Sequence, residues 1–253
     1  MRRITAALVT ALGCACVGAC GAGSPAAPAQ SPTPNGPPPP APAPAPTPKP
    51  ATWNVDSLGV PRIVSTDYID MSRITRISRF RSSAGHDNAD DFETCRSMKH
   101  YYVPAVMAEA GQIAIRAPVT GTVTRLIQEW AGTQVHLTSA QYPAFTFVLY
   151  HVKLSSPLDT GRTLTEGQSL GTHIGEQTSS DIAVVVATPG GRRYVSWFDV
   201  MTDGLFARYV ARGVAERSAF IIARAERDAD RLTCDSIGTF LTRGALETWV
   251  QLN

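Results

Sequence analysis

The sequence predicts a mainly β fold followed by a helical extension, and the prediction rests on three observations. Between residues 113 and 187, runs of strand length are separated by glycines, as in strands joined by short turns. The last of these runs, 182–187, is apolar on both faces, which indicates a strand buried inside the sheet. Near the C-terminus, apolar residues over 218–232 recur at helical spacing and predict an amphipathic helix.

Alternation of apolar and polar residues marks the strands of the predicted sheet. The first signals lie at 60–64 and 68–80, where a slip in the alternation near Ile77 indicates a bulge or a break. Further strands are predicted at 119–127, 134–137, 145–152, 169–174, 182–187 and 194–200. We expect the C-terminal helix to begin at Ser218, because a serine oxygen can accept a hydrogen bond from a free N–H group of the first turn.

The first 52 residues are expected to lie outside the folded domain. Arg2 and Arg3 precede an apolar run too short for the ~20 residues of a membrane-spanning helix, which indicates an export signal over 1–19. The signal ends in Val-Gly-Ala-Cys, which resembles the lipobox of bacterial lipoproteins with Cys20 as the lipidated residue; an ordinary secretory signal is the alternative. Residues 20–52, rich in proline and alanine, predict a disordered, extended spacer. We therefore expect an exported protein, lipid-anchored to the bacterial cell envelope.

Charge and cysteine usage fit an exported protein without a nucleic-acid partner. Removing Arg2 and Arg3 from the 23 basic residues leaves 21, equal to the 21 acidic residues, and no basic run forms a stripe for phosphates. Beyond the signal only Cys20, Cys95 and Cys234 remain. If Cys20 is acylated, we expect Cys95 and Cys234 to form a disulfide in an oxidising envelope; two unpaired, buried thiols are the alternative.

A polar loop over 86–91 holds the first candidate ligands for a cation. His86 and Asp90 are four residues apart and can both bind a metal ion if the loop turns back on itself. Taken alone, these residues also fit a solvated polar loop.

Four short motifs follow one another between residues 86 and 171. They are His86-x-x-x-Asp90, Ala-Pro-x-x-Gly-x-Val at 117–123, Tyr150-His151, and Gly-Gln-x-Leu-Gly at 167–171. In these motifs the chain resembles the lysostaphin-type (LytM-like) zinc metallopeptidases, which cut peptide cross-links in bacterial cell walls. The resemblance implies a LytM-like, duplicated-hybrid-motif antiparallel β-sheet domain over 53–203, with 204–253 as a C-terminal helix and tail packed on it.

The resemblance also implies a zinc centre, which this chain does not complete. It places His86 and Asp90 as metal ligands, and His151 and Asp181 at the positions of the catalytic histidines. The family's third ligand falls on Ala183 in the run Asp-Ile-Ala-Val-Val-Val, and alanine has no lone pair to offer zinc. Asp181 acting as a replacement ligand is the one way in which the set could be restored.

The remaining histidines are assigned no role. His151 has the alternative interpretation of a partly buried histidine that is hydrogen-bonded within the sheet. His173 lies in a glycine-rich turn and is not expected to replace a ligand. His100 has no counterpart in the family, and His136 is expected to face away from the core.

Two functions are consistent with these residues. The first is a catalytically degenerate module that needs no cofactor and binds peptidoglycan or a protein partner at the envelope. The second is an active zinc metalloendopeptidase that cuts peptidoglycan cross-bridges with an altered ligand set. A biotinyl- or lipoyl-type carrier, which the same strand motifs resemble, is disfavoured because its modified lysine belongs at a hairpin tip and Lys153 lies on a predicted strand.

Overall fold

An antiparallel sheet of eleven strands organises residues 49–253, the part of the chain that the computed structural model describes. The strands are β1 (Ile74–Ser78), β2 (His100–Pro104), β3 (Ala114–Arg116), β4 (Gly121–Glu129), β5 (Gly132–Ser139), β6 (Phe145–Leu154), β7 (Thr163–Leu164), β8 (Ser169–His173), β9 (Ser180–Thr188), β10 (Gly191–Val195) and β11 (Trp249–Gln251). The predicted mainly β, antiparallel fold is confirmed. The predicted signal peptide, Cys20 and the spacer up to residue 48 lie outside the described residues.

The strand β9 lies at the centre of the sheet. The strands follow one another in the order β11-β1-β2-β9-β6-β5-β4-β7, while β10 also pairs with β9, and β8 joins β3 to β6. Ile182, Val184 and Val186 of β9 point into the main core, and Ala183 packs on the opposite face. Residues 182–184 are therefore buried on both faces, as predicted, whereas Val185 is half-buried and Ala187 is exposed.

The main core covers one face of the sheet. Phe147 and Leu149 of β6 point into it, because side chains two residues apart lie on the same face of a strand. Trp197 and Phe198, from the segment after β10, close this face, and the ring of Trp197 meets that of Phe147 edge-on at 6.1 Å between centroids. The other face of β6 and β9 is left to form a groove.

C-terminal helices are present, as predicted, but their bounds differ from the prediction. The α-helices are α1 (Val55–Leu58), α2 (Trp197–Val200), α3 (Asp203–Val210) and α4 (Arg224–Ala229), and 3-10 helices span Met71–Arg73, Met107–Gln112 and Arg217–Phe220. The prediction of one helix over 218–232 with Ser218 as its N-cap is wrong. The backbone N–H of Ile222 donates to the carbonyl of Phe80, and the N–H of Phe80 donates to the carbonyl of Phe220. These bonds hold Ile221 and Ile222 extended after the 3-10 helix, so the α-helix begins only at Arg224.

The predicted strand over 194–200 is correct only as far as Val195. The Ser196 side chain accepts a hydrogen bond from the backbone N–H of Phe198 and caps α2. A capping serine changes the chain from extended to helical within one residue, which alternation of apolar residues does not reveal.

The predictions upstream of β2 are correct in part. Residues 60–64 form no strand within the described chain, and Val64 makes only an isolated bridge. The segment 68–80 contains β1, and its pairing register with β2 shifts between Ile74 and Arg76. That shift is the irregularity that the slipped alternation indicates.

The C-terminal segment returns to the sheet edge and supports the loop that carries His86. β11 pairs with β1 at one edge of the sheet. Cys95 and Cys234 form a disulfide across 139 residues, which confirms the predicted pair. The backbone N–H of Asp87 donates to the carbonyl of Gly238, so the tail braces the loop directly. No helix within residues 49–253 combines the length and apolar character needed to cross a membrane.

A buried carboxylate ties α3 to the segment before β1. Asp67 is 3% exposed and accepts a hydrogen bond from the Tyr209 hydroxyl at 2.5 Å. Nη1 of Arg208 lies 3.2 Å from the second carboxylate oxygen. Burial outweighs both partners and raises the pKa of Asp67 to about 6.

We predict that Asp67 makes the fold less stable as the pH rises. Its pKa is higher in the folded state than the ordinary 3.8, so its charge costs stability progressively between about pH 4 and about pH 6. The unfolding free energy of Asp67→Asn, compared with that of the wild type at the same pH, should therefore increase by about 3 kcal/mol between about pH 4 and about pH 6. Urea denaturation at several pH values measures this, with the exposed Asp159→Asn as a control. A difference that does not change with pH would contradict the prediction.

Candidate functional site

A groove of about 940 Å³ lies on the face of the sheet opposite the main core. Its floor is formed by residues of β6 and β9 such as Val148, Tyr150 and Val185, and its walls include Tyr194 of β10 and Trp130 from the turn between β4 and β5. Trp130 is 78% exposed, so the rim carries a large aromatic ring in contact with solvent.

At one end of the groove, four side chains form a continuous line of charge contacts, which we call the charge row. His86 Nε2 lies 3.4 Å from Lys99 Nζ. Lys99 Nζ lies 2.5 Å from Asp181 Oδ2, and Asp181 Oδ1 lies 3.2 Å from His151 Nε2. The contacts of the Asp181 carboxylate with Lys99 and His151 do not have the angles of good hydrogen bonds, so electrostatic attraction holds the carboxylate in place. A lysine ammonium therefore sits between a histidine lone pair and a carboxylate.

The strand register places the ammonium in its position. Lys99 directly precedes β2, and Tyr101 of β2 lies opposite Asp181 of β9. Residues 99 and 101 share a face of the strand, so the lysine and the tyrosine both point toward the groove. Lys99 Nζ lies 4.1 Å from the ring centre of Tyr150 and 5.0 Å from that of Tyr101. The two rings contribute cation–π attraction to a side chain that is almost fully buried.

The loop geometry fixes the orientation of His86. The Nδ1 of His86 donates to the carbonyl of Asp87, which leaves the Nε2 lone pair facing Lys99. Gly85 has a positive φ of 66°, and a β-carbon there would lie 1.9 Å from the hydroxyl oxygen of Tyr101. Glycine is therefore required at this position both for the turn and for the close approach of the tyrosine.

His151 closes the other end of the charge row. Its backbone has a φ of 59°, an uncommon conformation for a residue with a side chain. The Nδ1 of His151 donates to the carbonyl of Ala131 at 3.0 Å, and Glu129 Oε2 lies 4.0 Å away. Burial opposes protonation, but the Asp181 carboxylate and the Ala131 carbonyl outweigh it and raise the pKa of His151.

The two fully buried charges stabilise each other in their ionised forms. Burial disfavours both, yet the pKa of Asp181 is lowered because Lys99 and then His151 face its carboxylate. The pKa of Lys99 is raised in turn, since Asp181 outweighs the loss of hydration. The pair therefore carries a buried positive and a buried negative charge across the physiological pH range.

The side chains expected to bind zinc have different partners. The carboxylate of Asp90 accepts hydrogen bonds from the backbone N–H groups of Phe92 and Tyr194, one on each oxygen. His86 faces the ammonium of Lys99 instead. Within residues 49–253, no group of three or more histidine, cysteine, aspartate or glutamate side chains could hold a metal ion.

This arrangement does not fit zinc. A catalytic zinc needs three protein ligands and one open position. Here the two donors that face a common point, on His86 and Asp181, surround the positively charged nitrogen of Lys99, which would repel a divalent cation. Ala183, at the position of the family's third ligand, packs against Val148 and Tyr150 and offers no donor.

Lys99 was not predicted as a site residue from the sequence, and His173 was assigned no role. Lys99 lies in a run of aromatic and apolar residues, and that unusual context was the signal available. His173 is buried, and its ring lies 6.4 Å from the ring of His151 between centroids. Burial and then His151 lower the pKa of His173 to about 4, so it is a neutral neighbour of the charge row. Gly175 donates its backbone N–H to the Nδ1 of His173.

The other two histidines fit their expectations. His100 is buried, and its ring nitrogens contact the Ser78 carbonyl and the Ser196 hydroxyl, which is a structural role. His136 faces away from the core and lines the groove, where its Nε2 lies 3.0 Å from the side-chain nitrogen of Gln134.

We predict that Lys99→Met destabilises the fold by about 3 kcal/mol, because it leaves the buried Asp181 carboxylate without its main counter-charge. The double variant Lys99→Met/Asp181→Asn should recover most of that loss, since no buried charge is then left unpaired. Guanidinium denaturation of the wild type, both single variants and the double variant at pH 7 measures the coupling. Strictly additive losses would show that the pair does not act as a unit.

We also predict that the His151 imidazole titrates above the ordinary value of 6.5. Its protonation should stabilise the fold fully below pH 6.5, and this contribution should be lost as the pH rises through the folded-state pKa. NMR titration of the histidine rings measures the pKa values, and Asp181→Asn should lower that of His151. His136, whose pKa is lowered by burial and by Arg125, is the internal control and should not respond. An unchanged pKa for His151 in the variant would contradict the prediction.

Comparison with known proteins yields only distant similarity. No family model matches the chain, and no curated protein matches it. A chain from Ruminococcus gnavus ATCC 29149, assigned as a glycyl-glycine endopeptidase LytM, is 16% identical with a TM-score of 0.31; the match covers 40% of this chain and 43% of that chain. A chain from Pseudomonas aeruginosa, assigned as a peptidase M23, is 18% identical with a TM-score of 0.33, covering 58% and 55%. CbpA from L. salivarius REN is 18% identical with a TM-score of 0.24, covering 30% and 50%.

These solved structures include a LytM and an M23 peptidase, the family that the sequence motifs resemble. The chain spans about half the length of each of them, between 43% and 55%. TM-scores of this size do not establish a shared site, so the chemistry of the groove is interpreted from its own geometry.

Proposed function

We propose that the domain binds the peptide part of peptidoglycan in its groove, without a metal ion and without cutting the peptide. The observation that carries this proposal is the Lys99 ammonium between His86 and Asp181. A covalently attached cation neutralises the Asp181 carboxylate as a metal would, but it has no open coordination position and cannot acidify a water molecule. The charge row then holds the end of the groove rigid rather than performing hydrolysis.

The groove has the size and lining of a binding site. A volume of about 940 Å³ is at the upper end of the range of ligand pockets. Tyr150, Tyr194 and Trp130 provide aromatic surface, while Gln134 and Thr146 provide hydrogen-bonding groups along the same face. Aromatic rings beside fixed polar groups suit an extended peptide that carries amides and short side chains.

The choice of ligand rests on the sequence. The four motifs that resemble cell-wall peptidases imply a cell-wall peptide as the ancestral substrate of the groove. The export signal over 1–19 and the lipobox ending at Cys20 would place the domain in the cell envelope, attached to a membrane by its lipid. A proline-rich spacer can then extend up to about 80 Å, at ~3.1 Å per residue, toward the wall.

The alternative function is an active zinc metalloendopeptidase. It is favoured only by the orientation of two donors, since the His86 lone pair and the Asp181 carboxylate both face the nitrogen of Lys99. Zinc binding would require the lysine side chain to leave its buried position, and the Asp181 charge to lose its partner. A protein partner in the envelope, bound in the same groove, is a further outcome of the test below.

We predict that the chain from residue 20 onward, carrying Cys20→Ser to prevent acylation, sediments with purified sacculi. Binding should be unaffected by EDTA or by added zinc, and cross-linked muropeptides should remain uncut. Trp130→Ala should weaken binding by about tenfold, because it removes an exposed aromatic anchor from the rim. Ile237→Ala, an equally exposed apolar residue outside the groove at 85% exposure, is the matched control.

Three outcomes of this experiment contradict the proposal. Failure to sediment with sacculi removes peptidoglycan as the ligand and leaves a protein partner. Stoichiometric zinc in the purified protein, with EDTA-sensitive cleavage that is lost in His86→Ala, establishes the peptidase instead. Equal weakening by Trp130→Ala and Ile237→Ala would place the ligand outside the groove.

A further inference from the structure

The lining of the groove has an excess of basic groups. The basic and imidazole side chains in it are His86, Lys99, Arg125, His136, His151 and Arg192. Glu129 is the single carboxylate among the lining residues of the described chain. The groove is therefore better suited to an anionic ligand than to a cationic one.

Three of these six basic groups already have an acidic partner. Asp181 faces both Lys99 and His151, and Asp91 lies 3.1 Å from the guanidinium of Arg192. Of the two arginines in the lining, Arg125 has no carboxylate of residues 49–253 within ion-pair distance of its guanidinium, whereas Arg192 has Asp91. A charged group without a partner in a groove is free to engage a ligand.

Arg125 and His136 stand side by side at the end of the groove away from Trp130. They are directly opposite each other in the pairing of β4 with β5. A register shift between Val123 and Arg125 turns both Thr124 and Arg125 toward the groove, where strict alternation would expose only one of them. The Arg125 charge also contributes, after burial, to lowering the pKa of His136, as expected for two basic groups with no anion between them.

Hydroxyl groups complete this end of the groove. Thr124 Oγ1 lies 3.1 Å from Thr138 Oγ1, which lies 2.9 Å from Thr146 Oγ1. Thr124 and Thr146 both line the groove, so their hydroxyls extend the set of donors around Arg125. A guanidinium flanked by an imidazole and hydroxyls is a donor set typical of carboxylate binding.

We infer that Arg125 and His136 bind a free carboxylate of the peptide held in the groove. This inference rests on the proposed function and names the chemical group that the groove selects. The strand from Arg125 to Trp130 spans about 17 Å at ~3.3 Å per residue, so an extended peptide of about five residues would reach from the carboxylate site to the aromatic rim. Selection then depends on whether that carboxylate is free or amidated.

The test compares two forms of one soluble ligand by isothermal titration calorimetry. The ligand is a disaccharide pentapeptide from peptidoglycan, either with free carboxylates or with the same carboxylates converted to primary amides. The protein is the chain from residue 20 onward with Cys20→Ser. We expect the free acid to bind about tenfold more tightly than the amide, because one charge-assisted contact with arginine is lost on amidation.

Arg125→Gln is the decisive variant, since it keeps a hydrogen-bonding side chain and removes the charge. It should bind both forms with the affinity that the wild type shows for the amide. Arg162→Gln, an exposed arginine that is not part of the groove lining, should behave as the wild type does. His136→Gln should lower the preference for the free acid in part. Urea denaturation of each variant checks that the fold is intact.

The outcomes separate this inference from the proposed function. If neither form of the ligand binds the wild type, both fail. If both forms bind with equal affinity, or if Arg125→Gln weakens both equally, the groove binds peptide but does not select a carboxylate, and only the inference is overturned. A tenfold preference that disappears in Arg125→Gln and persists in Arg162→Gln establishes the carboxylate site.

Discussion

The buried contact between the Lys99 ammonium and the Asp181 carboxylate is the constraint on which the rest of the site depends. Two charges removed from water are tolerated only when each compensates the other. Tyr101 and Tyr150 enclose the ammonium, and the hydroxyl of Tyr101 in turn requires a glycine at position 85. The orientation of the loop before β2, the register of β2 on β9, and the aromatic lining of the groove are all coupled to this one ion pair.

The two faces of β9 have different surroundings. Ile182, Val184 and Val186 fill the main core, whereas Asp181 and Ala183 are buried on the opposite face of the strand. Ala183 is small and apolar where a metal ligand would be needed, and the cation that compensates Asp181 comes from the chain itself. A site with an internal, immobile cation retains the electrostatics of a metal site without its open coordination position. The proposal of binding without cleavage rests on that difference.

Much of the sheet could be predicted from the sequence because alternation is a local property. Each strand from β4 to β9, with the exception of the two-residue β7, coincides with a run of alternating or continuous apolar residues. The bounds of the C-terminal helix could not be predicted, because the apolar spacing over 218–232 arises from an extended backbone beside Phe80 and from a separate short helix. Apolar residues at suitable intervals are buried in both arrangements, so their spacing does not distinguish them.

The sequence by itself determined the strands β4, β5, β6, β8 and β9, the burial of β9, the disulfide between Cys95 and Cys234, and the absence of a donor at Ala183. Only the tertiary structure decided what stands between His86 and Asp181. Lys99 reaches that point through the pairing of β2 with β9, two strands far apart in the chain, and Asp90 is drawn away by backbone N–H groups of Phe92 and Tyr194. Contacts between distant segments depend on how the whole sheet closes, and no local pattern of residue types encodes them.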